Sequence, residues 1–553
     1  MKDVILKALR IASGEQTPNL EFPENEDFGD FTSNVALVSG KPAKDIVEKL
    51  KKDKDLAEIV AKIEIAGPGF INFYLSEEAL GAELEKVLKA GKNHGSSSLG
   101  EGKTVVIDYS SPNIAKRFGI GHLRSTVIGQ ALYNLYQTLG FKVIGDNHLG
   151  DWGTQFGVLL AQIEDSGLKT QDLTLDKLEE LYVDFHKKAE ADPKLWDGAR
   201  AWFKKLEEGD SAAKEIWKNL VEISVTEFNR IYKLLGVKID YAYGESFYED
   251  YMPKVINLLR EKGLVKKSQG AEIVEFKDLP PAMLVKSDGA TTYFTRDLAT
   301  ILFRVGSWDP EIIIYEVGME QTLHFRQVFA AAKLLGWAKD RELVHIGHGL
   351  IRFEHGKMST RRGDTVKLED VLSEATSRAG KIIEASETGR GLSDKEKEEV
   401  AEAVGIGAIK YFDLSHHPAT DIIFDWEKLF LLEGNSAPYL QYTAVRADSV
   451  LKKAKNADLD FNSKELKLNK EEARVISGLI RFPEVIIAAA KNYSPNLLTN
   501  YLFGLAQKFN NFYNQHRIID GENENFRLAL TKATGEVLKS GLGILGIETP
   551  ERM

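Results

Sequence analysis

Four short apolar runs rich in β-branched residues punctuate the middle of the chain, at 105–107, 142–145, 311–316 and 343–346. Each predicts a buried strand. After the first, Ser110, Ser111, Pro112 and Asn113 break the run. From about Gly121, Leu123, Val127, Ala131, Leu132 and Leu135 recur at helical spacing, which predicts strand, polar loop and helix in succession. The second strand also runs into a polar loop, DNHLGDWGTQFG, with Asp146, His148, Asp151 and Trp152 between glycines. Two strand ends of this kind predict one edge of a doubly wound parallel sheet, the edge where ligands sit. A helix start carries free N–H groups and partial positive charge, which favour phosphate. Gly119 and Gly121 leave room for a ligand there, and His122 can donate to a phosphate oxygen. The same turn recurs in any βα unit, so the pattern by itself does not select a nucleotide.

The flanks read differently. Residues 1–93 predict a small α+β domain: a first helix, a polar stretch, a Lys-rich helix over 42–62, and strands joined by a tight turn at Gly67, Pro68 and Gly69. Phe70, Asn72 and Tyr74 alternate on the last strand. They offer either aromatic faces to RNA bases or a half-buried strand, and the pattern favours the strand. By composition, 91–103 is a flexible linker. A charged helical insertion spans about 160–290, with Trp196, Trp202 and Trp217 as packing anchors. Within it, 271–276 and 282–297 read as strands with a turn at Asp288 and Gly289. A charged linker near 388–399 ends the catalytic unit of 100–390, and 395–553 reads as helices, clearest at 437–455 and 500–518. Tyr439, Tyr442, Tyr501, Phe509, Phe512 and Tyr513 supply either a bundle core or a base-stacking surface.

Composition narrows the classes. A chain of 553 residues, 43% hydrophobic and 28% charged, is an ordinary globular protein of several domains. The absence of cysteine excludes disulfides and thiolate metal sites. A net charge of −11 argues against non-specific nucleic-acid binding, though not against RNA held by a local basic face. No apolar run reaches membrane-spanning length, and the start is an amphipathic helix, so a cytoplasmic protein is expected. Gly318, Glu320 and His324 follow the third strand, where a carboxylate can accept from ribose hydroxyls. The basic loop GKMSTRRG, 356–363, suits a polyphosphate leaving group.

Taken in order, SSPNIAKRFGIGHLRST, GDNHLGDWGTQFG, YGES, TYFTRDLA, GMEQTLHFRQ, GKMSTRRG and the terminal GLGILGIETPERM resemble the class I arginyl-tRNA synthetases over nearly the whole chain. The resemblance implies a Rossmann-like catalytic domain, an N-terminal α+β RNA-binding domain and a C-terminal all-α anticodon domain. It implies ATP-dependent attachment of L-arginine to tRNA(Arg) by a monomer, with Mg²⁺ accompanying ATP, no metal-ligating residues, and arginine activation dependent on bound tRNA. By position in the motifs, Lys116, His122 and Lys357 would be catalytic. Gly119, Gly121, His122, Gly318, Glu320, Gln321, His324, Lys357, Met358 and Ser359 would meet ATP. Asn113, Glu245, Tyr293 and Asp297 would hold arginine, and the pairing of carboxylates suits a planar fork of donors. Phe70, Asn72, Tyr439, Tyr442, Tyr513 and Met553 would meet tRNA. Buried carboxylates satisfied only by a guanidinium reject uncharged analogues, so no editing domain is expected.

Two positions depart from the pattern. Gly119 replaces the first signature histidine, a loss on the order of 10²–10³ in rate if nothing compensates. It leaves three readings open: a slow enzyme, a backbone amide in place of the imidazole, or an inactive relative that only binds tRNA. Thr360 replaces the second lysine of the second signature, with Lys116 as the family's usual substitute. A small-molecule adenylyltransferase on the same phosphate loop is a further rival, disfavoured by the two flanking domains.

Overall fold

The computed structural model describes residues 1–169, 172–353, 366–386, 388–454 and 459–553. At its centre is a parallel sheet of β1 (Thr104–Asp108), β2 (Lys142–Asp146), β3 (Ile312–Gly318) and β4 (Glu342–His348), in the spatial order β4-β3-β1-β2. Val106 pairs with Ile144 on one side and Ile313 on the other. Val105, Val106 and Ile107 are fully buried because helices cover both faces. Helix α1 (Gly121–Thr138) carries the chain from β1 to β2. Helix α2 (Tyr293–Trp308) precedes β3, and α3 (Thr322–Leu335) leads to β4. The chain leaves β1 in one direction and returns on its other side at β3. The strand order therefore reverses between β1 and β3, and a crevice opens at their carboxyl ends.

Several sequence expectations change. The helix expected over 42–62 is two short helices, Ala43–Leu50 and Lys54–Ile59, followed by a strand from Val60. Asp53 breaks it by capping the second helix through Leu56 N–H. The segment 91–103 is packed rather than free. His94 Nε2 bonds the Leu479 carbonyl at 2.9 Å, Ser97 N–H donates to Thr138, and Gly100 N–H to Leu139. Its glycines read as linker, yet Gly95 and Gly100 are small because Ile486 and Phe141 lie against them. The insertion is helical from Thr154–Ser166 to Ser211–Leu235, but ends in an antiparallel sheet of Val265–Ser268, Ala271–Val274 and Ala282–Val285. Tyr293 to Asp297 starts α2 instead of continuing a strand, since Phe294, Leu298, Ala299 and Ile301 bury one helical face. The charged stretch near 388–399 opens the helix Asp394–Leu414 through a Ser393–Glu396 capping box. That helix packs on Leu368–Ala385 through Ala379, Ile383, Val400 and Val404, so the chain has no break near 395.

The C-terminal helices reach back to the sheet. Arg124 on α1 is buried against Asp413 at 3.1 Å and donates to the Thr420 carbonyl at 2.6 Å. Asn134 donates to Ile544 and Tyr136 to Ala490. α1 is thus buried on both sides, by the sheet and by the bundle. The N-terminal domain rests on the same bundle, with Asp27 paired to Lys470 and Arg474, and Lys2 to Glu484.

Candidate active site

The crevice has a charged floor. Asp108 ends β1 and Asp146 ends β2, and Arg304 of α2 lies between them. Its guanidinium donates to Asp108 Oδ2 at 2.7 Å and to Asp146 Oδ2 at 2.9 Å, with the Tyr315 ring 5.0 Å away. Burial pushes the Asp146 carboxyl above the ordinary carboxylate range, and Arg304 opposes that rise. None of these residues was singled out by pattern except Asp146. The signal was a carboxylate at each of two adjacent strand ends, with an arginine inside an apolar helical run.

The loop after β1 is held in unfavourable backbone geometry. Ser110, Ser111 and Ala115 have φ of 75°, 45° and 61°. Side chains from elsewhere fix them. Ser110 N–H donates to Ser125 Oγ, Ser111 N–H to Asn147 Oδ1, and Ala115 N–H to Ser224 Oγ, all at 2.9 Å. Such strain persists where surrounding structure over-determines it, as at ligand sites. It delivers Asn113 against Gly150, where a Cβ would lie 2.1 Å from Asn113 Oδ1.

Above the floor is a cavity of ≈ 500 Å³. Asn113, Glu245, Tyr293 and Asp297 line it together with Glu320, Gln321 and His324, joining residues from four separate motifs. Glu245 is positioned through Asp151, which accepts from Ser246 N–H at 2.8 Å and Ser246 Oγ at 2.6 Å. Gly244 has no room for a side chain, since a Cβ would meet Asp151 Oδ2 at 2.1 Å. Burial raises the Glu245 carboxyl, and Arg296 at 3.5 Å partly offsets this. Arg296 also pairs with Glu249 at 3.4 Å and lies under the exposed Tyr293 ring. His324 Nε2 meets Asp297 Oδ2. Gly318 caps the short turn after β3, and the Glu320 carboxylate folds over it.

At the start of α1 a second cavity of ≈ 250 Å³ is lined by Lys116, Gly119, His122, Tyr182 and Lys367. His122 Nδ1 accepts from Gly119 N–H at 3.2 Å. A neutral imidazole that accepts at Nδ1 carries its proton on Nε2, and burial holds its pKa below the ordinary histidine value. The Gly119 amide is therefore committed to His122, which removes the reading in which it replaces an imidazole. The Lys116 ammonium sits 5.5 Å from the Tyr182 ring. Lys357, Met358 and Ser359 lie outside the described residues. Among the described residues no three His, Asp or Glu side chains are grouped to hold a metal ion.

The expected RNA contacts separate. Phe70 is exposed, but Asn72 is buried and accepts from Thr32 Oγ1 at 2.7 Å, so its amide serves the sheet. Tyr439, Tyr442 and Tyr513 gather around two residues the pattern missed. Asn510 donates to Tyr439 Oη at 3.0 Å. The Arg446 guanidinium lies 4.7 Å from the Tyr442 ring and 5.0 Å from that of Tyr513. Met553 packs instead on the cluster of Ala379, Ile383 and Leu392.

Comparison with known proteins agrees with this layout. The family model for the class I (R) tRNA synthetase catalytic domain matches residues 83–426. Those for the DALR anticodon binding domain and the arginyl tRNA synthetase N terminal domain match 440–553 and 1–75. The arginine–tRNA ligase of Fusobacterium nucleatum subsp. nucleatum is 41% identical over 544 residues, covering 96% of this chain and 94% of its own. That of Clostridioides difficile is 41% identical over 549 residues, covering 97% and 95%. The crystal structure of the Plasmodium falciparum arginyl-tRNA synthetase superposes with a TM-score of 0.86 at 27% identity, over 100% of this chain and 98% of that one. The Thermus thermophilus arginyl-tRNA synthetase shares the fold, with a TM-score of 0.83 at 24% identity over the full length of both chains. Nothing in these matches supports an inactive relative. With all three regions matched in order, and whole-length identity near two-fifths, the chain belongs to the class I arginyl-tRNA synthetases.

Proposed function

We propose that the protein activates L-arginine with ATP and transfers it to the 3′ end of tRNA(Arg). The observation that carries this reading is the crevice between β1 and β3, where two carboxylates, Glu245 and Asp297, line one cavity near the adenosine-side residues. The arginine guanidinium bonds Glu245 and Asp297, with Tyr293 at the rim and Asn113 at the amino-acid end. Adenosine lies along Gly318, Gln321 and His324, with Glu320 toward the ribose. The phosphates lie at Gly121 and His122, where Nε2–H donates to an oxygen, with Lys116 alongside; the resemblance adds Lys357, Met358 and Ser359 to the ATP contacts by their motif.

In the first step a substrate carboxylate oxygen attacks the α-phosphorus in line. The bond to the β-phosphate oxygen breaks and pyrophosphate leaves. In the second, the terminal 2′-hydroxyl of tRNA attacks the adenylate carbonyl and AMP leaves. The chain supplies position and charge rather than covalent chemistry. Mg²⁺ accompanies the nucleotide, since it favours substrate phosphates over an all-protein cage. The N-terminal domain contacts the outer corner of the tRNA, and Tyr439, Tyr442 and Tyr513 the anticodon side. We take it to work as a cytoplasmic monomer; no described helix is long and apolar enough to cross a membrane.

Arginine-dependent ATP–pyrophosphate exchange, with and without tRNA(Arg), tests the reading. Exchange that requires tRNA is expected. No exchange, with tRNA still bound, refutes it.

A further inference from the structure

We propose that Lys367 is a catalytic cation for the ATP polyphosphate and stands in for the imidazole missing at Gly119. This rests on the reading of the α1 start as the phosphate site. Gly119 and Lys367 face each other in an antiparallel bridge, closed by Ile120 N–H to the Val366 carbonyl at 2.9 Å and Leu368 N–H to the Phe118 carbonyl at 3.0 Å. That bonding pattern makes residues 119 and 367 a non-hydrogen-bonded pair, the kind whose side chains stand closest, on the same face of the ribbon. Lys367 therefore projects from the face on which a residue-119 side chain would stand.

Three further observations agree. Lys367 lines the ≈ 250 Å³ cavity with Lys116 and His122. Its ion pair to Asp176 is long, at 3.7 Å, and both side chains are substantially exposed, whereas Asp176 is closely engaged by Arg117. An exposed pair of that length holds the ammonium only weakly. Lys367 is also the N-cap residue of the helix Leu368–Ala385, so its backbone is fixed while its stem is free to swing.

During adenylate formation the α-phosphorus–oxygen bond breaks, and both its electrons go to the departing pyrophosphate. Lys367 donates hydrogen bonds to the non-bridging oxygens that gain charge and gives up no proton. A donor aimed at developing charge contributes most in the transition state.

The test is ATP–pyrophosphate exchange in the presence of arginine and tRNA(Arg), on Lys367→Gln, Lys367→Arg, Lys367→Gln combined with Gly119→His, and His122→Ala. Lys367→Gln is expected to lower kcat about 10²-fold and weaken inhibition by pyrophosphate, leaving the KM for arginine and tRNA binding unchanged. Lys367→Arg should keep most of the activity. Gly119→His should restore Lys367→Gln at least tenfold, which a merely structural lysine would not allow. If Lys367→Gln stays within threefold of the parent while His122→Ala is crippled, the role of Lys367 is overturned and the phosphate site survives. If His122→Ala is also active, the phosphate site itself is wrong and Lys367 falls with it. A fall in Lys367→Gln that neither Lys367→Arg nor Gly119→His repairs also overturns the proposal.

Discussion

Replacing Arg304 with methionine removes the guanidinium that lies between Asp108 and Asp146. The structure gives the size of the effect. Two charge-assisted hydrogen bonds, at 2.7 and 2.9 Å, are lost in a site where Arg304 and Asp146 are fully buried. Methionine recovers some packing on Tyr315, but the two carboxylates are left facing each other without a counter-ion. Breaking a buried pair in this way costs about 3–5 kcal/mol at neutral pH. The cost depends on pH. Burial already raises the Asp146 carboxyl in the parent, against the pull of Arg304. Without Arg304 its folded-state pKa rises further above the unfolded value, so the folded variant binds more protons and is favoured as pH falls. The penalty is therefore largest near pH 8 and shrinks toward pH 5. Urea unfolding of the parent and variant at pH 5.5 and pH 8 measures it. Arg304→Lys should fall between them, because an ammonium cannot fork across two carboxylates. A penalty below about 1 kcal/mol at pH 8, or one equal at both pH values, would refute the view that this arginine holds the floor of the crevice by charge, since the expected loss is several-fold larger.

Other perturbations follow from the same geometry. Arg296→Met should raise the KM for arginine more at pH 6 than at pH 8.5. Burial already raises Glu245, and losing Arg296 raises it further, so less of the carboxylate is ionised at the lower pH; a pH-independent change in KM would contradict this. Lys410 is buried and donates to two carbonyls, Leu235 and Gly546; burial pushes its pKa down to about 8, against a weaker opposing pull from Glu548. Its unfolded state binds more protons above that value, so stability relative to Lys410→Met should rise between pH 7 and pH 10, by most of about 3 kcal/mol; thermal melts of both proteins across that range check it. Arg446→Ala removes the guanidinium shared by Tyr442 and Tyr513 and should raise the KM for tRNA about 5- to 150-fold, the range of losing one stacking contact, with kcat for aminoacylation unchanged.

Much of the centre was legible because its physics is local. Short β-branched runs such as Val105–Ile107 are buried on both sides, which is what their composition predicts. The helix after them announces itself by spacing, and the polar loops after two strand ends mark the sheet's ligand edge. The errors fall where local preference meets tertiary demand. Gly95 and Gly100 looked like flexibility and instead permit close packing on Ile486 and Phe141. The β-branched and aromatic residues after Asp288 looked like a strand, yet the apolar face they share with Leu298 and Ile301 makes a helix.

Sequence alone therefore determined the parallel sheet and the loops at its edge, and the resemblance of its motifs offered Asn113, Glu245, Tyr293 and Asp297 as candidates for one pocket. Spacing in a linear chain could not say which side chains support the crevice and its phosphate side from afar. Arg304 reaches Asp108 across nearly two hundred residues, Ser224 fixes the backbone at Ala115, and Lys367 faces Gly119 across a bridge. Asn72 has the right residue type for a nucleotide contact, but its neighbour across the sheet, Thr32, takes it first. Periodicity records what a residue does for its own element. Charge pairing, strain relief and the allocation of each hydrogen bond are settled between elements, and only the folded chain brings those partners within reach.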